Sequence, residues 1–198
     1  MSAHLLTEVA PAFASPVAQS QRVFRVLLDA FAHPGMLRTL DESYGVPKPL
    51  ESAAVGVLVT LLDCDTALWL APEYSRSEVI TFFRFHCGSP ICSEPREARF
   101  AVIPAARIQL ADFNAGELEY PERSATIIIQ CDSLSNNSGV RLLGPGIVKE
   151  QHLLVSGLDS NFWRQWQDNG ALFPQGVDAV FAAGDRLAAL PRTTNVCM

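Results

Sequence analysis

The sequence predicts an α/β domain built on a mixed β-sheet. Three observations carry this reading. Helical periodicity fills the first third of the chain, short branched apolar runs fill the second half, and one aromatic-rich helix returns among them. The last two apolar runs flank Ala183-Gly184-Asp185, a turn of hairpin type, which predicts an antiparallel edge to the sheet. At 198 residues the chain is long enough for one sizeable core and does not require two.

The elements follow in order. Residues 1–18 are rich in Ala, Ser and Pro and read as a loose arm, leaving 19–198 as the single domain. A helix is expected from 19 or 20 to 32, with Val23, Leu27, Ala30 and Phe31 on one face and Phe24 and Leu28 beside it; Pro34-Gly35 stops it. A second helix is expected over 50–62, a short buried strand over 67–70, and a third helix over 75–86. Ser75 or Ser77 serves there as N-cap, and Gly88 lies just past the end. Strands are expected over 99–103, 126–131, 140–143, 152–155, 179–182 and 186–190, and a helix carrying Phe162, Trp163 and Trp166 over 161–167.

Composition narrows the function. Charged residues make up only 18% of the chain, few for a monomer of this size, so part of the surface is expected to meet partners. Net charge is −6 and the chain has only two lysines, Lys48 and Lys149, so there is no basic stripe for neutralising phosphates and nucleic acid is not the expected ligand. No apolar run reaches the ~20 residues needed to span a bilayer, and no secretory leader is read. Five cysteines, odd in number and without a CxxC pair, fit free thiols in a reducing cytoplasm.

Five places offer chemistry. Asp178, at the end of Phe173-Pro174-Gln175-Gly176-Val177, suits a site at the start of its strand, but an anchored loop turned by proline and glycine needs the same residues and is preferred. Arg192-Thr193-Thr194, set behind Pro191, is the best anion-binding candidate, because a guanidinium and two hydroxyls can grip several oxygens; the same residues suit a subunit contact or a solvated tail. Gly144-Pro145-Gly146 lets a backbone approach an anion closely, but it matches neither standard nucleotide signature and a tight turn needs the same residues. Asp63 and Asp65, beside Thr66, suit either a hydrated Mg²⁺ or an Asp turn bonded to its own backbone, the second being preferred. His86 and Cys87 offer a base and a thiol, although histidine also suits a helix C-terminus. Cys87-x4-Cys92 is not a zinc spacing, and no metal site is expected. No Ser/His/Asp grouping or nucleophile elbow is present, so the residues assemble no self-contained catalytic centre.

Taken in order, these segments resemble the PhnH family of the bacterial carbon–phosphorus lyase machinery. The residues that carry the likeness run from Gln21 to Thr194: Gln21-Arg22-Val23-Phe24-Arg25-Val26-Leu27-Leu28, His33-Pro34-Gly35, Thr60-Leu61-Leu62-Asp63, Asp65-Thr66, Arg84-Phe85-His86, Ala125-Thr126, Gly144-Pro145-Gly146-Ile147, Phe173-Pro174 with Gly176 and Asp178, and Pro191-Arg192-Thr193-Thr194. The resemblance implies a single three-layer α/β/α domain like the large domain of pyridoxal-phosphate transferases; since Lys48 and Lys149 follow no cofactor pattern and the cysteines lack cluster spacing, neither pyridoxal phosphate nor an iron–sulfur cluster is expected. It implies a cytoplasmic homodimer that joins PhnG-, PhnI- and PhnJ-type subunits, where a phosphonate displaces the adenine of ATP at ribose C1. It carries over no catalytic residue. This chain is then a non-catalytic or co-catalytic subunit, meeting ATP or phosphonate through the complex. The rival readings are an independent phosphate- or nucleotide-binding enzyme using Arg192, Thr193, Thr194, Gly144 and Gly146, or a purely structural assembly subunit.

Overall fold

The longest branched runs of the sequence build the centre of a six-stranded sheet. The structure is a computed structural model, and it describes residue 9 and residues 11–198. Strands β1 (Arg38–Thr39), β2 (Leu68–Leu70), β3 (Phe100–Pro104), β4 (Thr126–Gln130), β7 (Asp178–Ala183) and β8 (Arg186–Leu190) lie in the order β1-β8-β7-β4-β3-β2. The four strands β2, β3, β4 and β7 are parallel, with Val102, Ile128 and Val180 in one register row; β8 returns antiparallel to β7. Successive residues Ile127, Ile128 and Ile129, which point to opposite faces, are all fully buried, so the sheet is covered on both sides. The α/β class and the mixed sheet are as the sequence predicts.

Both sheet edges are closed by irregular chain. The hairpin strand β8 is not the edge: β1 pairs outside it, and Gly35 N–H donates to Ala189 O and Leu40 N–H to Asp185 O on either side. At the opposite edge the segment around Ile91 bridges β2, with Cys92 N–H donating to Leu68 O and Leu68 N–H to Pro90 O. Two residues are too short a strand for periodicity to reveal, which is why β1 is not legible in the sequence.

A second, three-stranded antiparallel sheet takes the remaining strands. It is formed by β5 (Leu134–Leu143), β6 (Gln151–Val155) and β9 (Asn195–Cys197) in the order β6-β5-β9. Sequence reading finds the apolar halves of β5 and β6 but neither their separation from the main sheet nor β9. The polar half of β5, Ser135-Asn136-Asn137-Ser138-Gly139, resembles a loop, and it is irregularly paired between Ser135 and Val140.

Helix α1 (Pro16–Ala32) opens on a proline in its first turn, three residues before the expected start, and buries Gln19, Val23, Leu27 and Ala30. Of the expected arm, residues 1–8 and 10 lie outside the described residues, while Phe13 is buried against Tyr44, ring centroids 5.1 Å apart. Phe24 and Leu28, expected beside the buried face, are instead 46% and 58% exposed. Helix α2 (Ser52–Leu61) is apolar all round and packs between α1 and the sheet. Helix α3 (Ser77–Cys87) has Arg76, not a serine, at its N-cap, and ends on Gly88 in the left-handed conformation as expected. Helix α4 (Ser160–Ala171) is capped by the Asp159 carboxylate, which accepts from Phe162 N–H, and lays Phe162 and Trp163 against Phe181 of β7.

Candidate functional site

Arg192 sits where β8 ends, at the N-terminal edge of β7. Its backbone N–H donates to Asp178 Oδ1 at 2.7 Å, and its side chain folds back over the same carboxylate. All five guanidinium N–H groups find acceptors within the chain. Nε donates to Asp178 Oδ1 at 3.1 Å; Nη2 donates to Asp178 Oδ2 and Ser124 Oγ, both at 2.5 Å; Nη1 donates to the carbonyls of Pro121 and Pro174 at 3.1 and 3.3 Å. Arg192 and Asp178 keep 13% and 21% side-chain exposure. The guanidinium thus ties together the start of β7, the short 3₁₀ turn Pro121–Arg123 and the loop through Pro174. No N–H is left over for a bound oxyanion.

The neighbouring residues extend this joint. Thr194 is buried, with its backbone N–H on Pro191 O and its carbonyl accepting from the Trp166 indole at 3.1 Å. Its hydroxyl finds no partner among the described residues. Asn169 pins Val177 from both sides, Nδ2 donating to Val177 O at 2.9 Å and Oδ1 accepting from Val177 N–H at 2.8 Å. The sequence points to Asp178 but to neither Asn169 nor Ser124; the one signal for Asn169 is an amide directly before a glycine in an otherwise amphipathic helix.

The structure does bring the glycine turn to Thr193. A side chain at Gly144 would meet Thr193 O at 3.0 Å, and one at Gly146 (φ +81°) would strike Ala32 O at 2.1 Å. These glycines let β9, β5 and the end of α1 approach one another, and Ile147 N–H closes the turn on Gly144 O. The face of each glycine that would carry a side chain is thus taken up by protein, while Pro145 and Gly146 stay exposed on the other.

The remaining candidates resolve locally. Asp63 Oδ1 accepts from Asp65 N–H at 3.0 Å and from Thr66 Oγ at 2.9 Å, the self-bonded Asp turn. Hydrogen bonds from Thr66, then from backbone N–H groups, hold the Asp63 carboxyl below the usual carboxylate range. His86 packs its ring on Phe82, centroids 4.6 Å apart, in the last turn of α3. Burial pushes the Cys87 thiol up to about 11 and the Cys131 thiol up to about 12, so neither is a thiolate nucleophile at neutral pH. Among the described residues no group of three or more His, Cys, Asp and Glu could hold a metal, and no helix is long and apolar enough to cross a membrane.

Comparison with known proteins gives these features a family. A family model described as bacterial phosphonate metabolism protein (PhnH) matches residues 11–197. The chain belongs to the PhnH family. It is 37% identical over 187 residues to the PhnH subunit of alpha-D-ribose 1-methylphosphonate 5-triphosphate synthase from Rhizobium meliloti (strain 1021), covering 93% of this chain and 94% of the relative. It is 34% identical over 178 residues to HtxG of Stutzerimonas stutzeri, named as a C-P lyase subunit protein, covering 90% of this chain and 86% of the relative.

Two further features bear on what a PhnH-family chain can do. A cleft of about 430 Å³ opens at the carboxyl ends of β3 and β4, where open α/β sheets usually bind ligands. Its wall carries Glu51, Glu73 and Asp132 against Arg76. Glu73 is already held by Arg107 at 2.8 Å, which leaves Glu51 and Asp132 against Arg76, a lining with no surplus of cations for a triphosphate. Pyridoxal phosphate needs a lysine inside such a cleft, and both lysines of this chain, Lys48 and Lys149, are exposed; the residues do not fit that cofactor.

Proposed function

We propose that this chain is a subunit of the carbon–phosphorus lyase core complex in phosphonate catabolism. In that reading it supports transfer of a phosphonate to ribose C1 of ATP with release of adenine, the synthesis of alpha-D-ribose 1-methylphosphonate 5-triphosphate. The observation that carries the reading is the near full-length identity to a named subunit of that synthase. The site geometry supports a non-catalytic or co-catalytic share in it. The Arg192 donors are spent within the chain, the half-buried Cys87 and Cys131 thiols stay protonated, and the cleft at the carboxyl ends of β3 and β4 carries more carboxylates than cations. Partners of PhnG, PhnI and PhnJ type, a homodimer of the isolated chain, a cytoplasmic setting for its five free cysteines, and a three-layer kinship with pyridoxal-phosphate transferases without the cofactor all belong to this proposal.

The test is reconstitution. The purified chain alone, given ATP and methylphosphonate, releases no adenine, and the co-expressed four-subunit assembly does. Adenine release by the isolated chain makes it a self-sufficient enzyme and overturns the reading; so does a fully active assembly lacking it. A second reading, in which Arg192, Thr193 and Thr194 with Gly144 and Gly146 grip phosphate oxygens, requires the Asp178 and Ser124 contacts to open, and calorimetry with ATP and methylphosphonate measures whether they do.

A further inference from the structure

Helix α1 has two apolar stripes. One is the buried stripe already described. The other consists of Val17, Phe24, Leu28 and Phe31, interrupted by the polar Gln21; the five positions alternate in spacing between four and three residues, the repeat by which one helix seats another. Val17, Phe24 and Leu28 are 87%, 46% and 58% exposed, and Phe31 is half-buried. Beyond the helix end the backbone of Gly146 approaches Ala32 O, and two further apolar side chains, Met36 and Val148, are exposed in the neighbouring loops. An apolar surface of this kind on a chain with only 18% charged residues marks an interaction site.

The charges of α1 say what covers it. Asp29 is held by Arg38 and His33, and Arg22 by Glu42. Arg25 lies on the flank of the outer stripe, is exposed, and has no ion-pair partner among the described residues. A second copy docked symmetrically about the stripe's midpoint brings Arg25 against Arg25 with no free carboxylate beside either. The stripe is also small, about 25 Å by about 10 Å, far short of the ~800 Å² per partner of a free-standing interface. It suits a neighbour that is held at other points as well.

We propose that the outer stripe of α1 docks an amphipathic helix of a different subunit of the synthase, presenting an apolar stripe and a carboxylate opposite Arg25. This rests on the subunit reading above. Three measurements on the chain co-expressed with the PhnG-, PhnI- and PhnJ-type subunits test it. Phe24→Glu and Leu28→Glu leave the Tm of the isolated chain within about 2 °C of wild type, as surface changes do, and weaken its retention in the assembly at least about tenfold. Arg25→Glu weakens retention comparably, and Arg25→Lys largely keeps it. A photo-crosslinker at position 28 joins a helix of another subunit at a segment containing Asp or Glu. Retention unaffected by the glutamates, a crosslink to a second copy, or a fall in Tm of the isolated variants each overturns the proposal. If the wild-type chain itself fails to assemble, the subunit reading falls and takes this one with it; if only the variants fail to differ, the subunit reading stands.

Discussion

Removing the Arg192 side chain is the sharpest test of what the segment around it does. In Arg192→Ala the five side-chain donations vanish, while the backbone bond from residue 192 to Asp178 remains. The Asp178 carboxylate is then left 79% buried with one of its three hydrogen bonds, and Ser124 Oγ and two carbonyls lose theirs. Breaking one side of a fully buried pair costs ~3–5 kcal/mol; the residual exposure and the retained backbone bond bring the expectation down to about 2–3 kcal/mol. For a domain of this length that is a fall in Tm of about 4–12 °C. Thermal and urea unfolding of wild type, Arg192→Ala, Asp178→Asn and the double variant give the full cycle. The double variant is expected to be less destabilised than the two single effects summed, because no orphaned charge remains. A Tm for Arg192→Ala within about 2 °C of wild type, or strict additivity in the cycle, refutes the structural account.

Other outcomes follow from particular positions. Gly146→Ala, with φ +81° and a carbonyl 2.1 Å from the new carbon, is expected to cost about 3 kcal/mol or more in urea unfolding; Gly184→Ala, with φ +60° and open space around it, costs only about 1. Among the thiols, exposed Cys64 reacts first with a disulfide reagent at pH 8, and the half-buried Cys131 and Cys87, held protonated, react much more slowly, read as a time course of released thiolate. The Cys131 thiol is raised in the folded state to about 12, so its contribution is fully present below the ordinary thiol range and is lost as pH rises from about 9 towards 12; urea midpoints at pH 8 and pH 10 show the decline, and Cys131→Ala reduces it.

What the sequence reveals here divides along physical lines. Ile127-Ile128-Ile129 and Val180-Phe181 announce themselves because a strand covered on both faces must be apolar at every position. The Gly88 stop and the Ala183-Gly184-Asp185 turn are equally plain, since each needs a left-handed residue. Phe24 and Leu28 mislead: helical periodicity gives the apolar arc of α1 but not which part of it faces the core of this chain. Arg192 misleads for a different reason. Residue type shows that five donors are present, whereas the acceptors come from positions 121, 124, 174 and 178, which local pattern cannot place together. The second sheet is missed because polar Ser135 to Gly139 hides a strand and β9 is short.

The irregular segments that flank β8 and β2 have a further consequence. An open strand edge is a template on which another chain can lay its own backbone, whether in a complex or in a fibril. Here Gly35 and Leu40 at one edge, and Pro90 and Cys92 at the other, already occupy that backbone. The main sheet is therefore expected to resist strand addition and fibril templating, and to leave recognition to side chains.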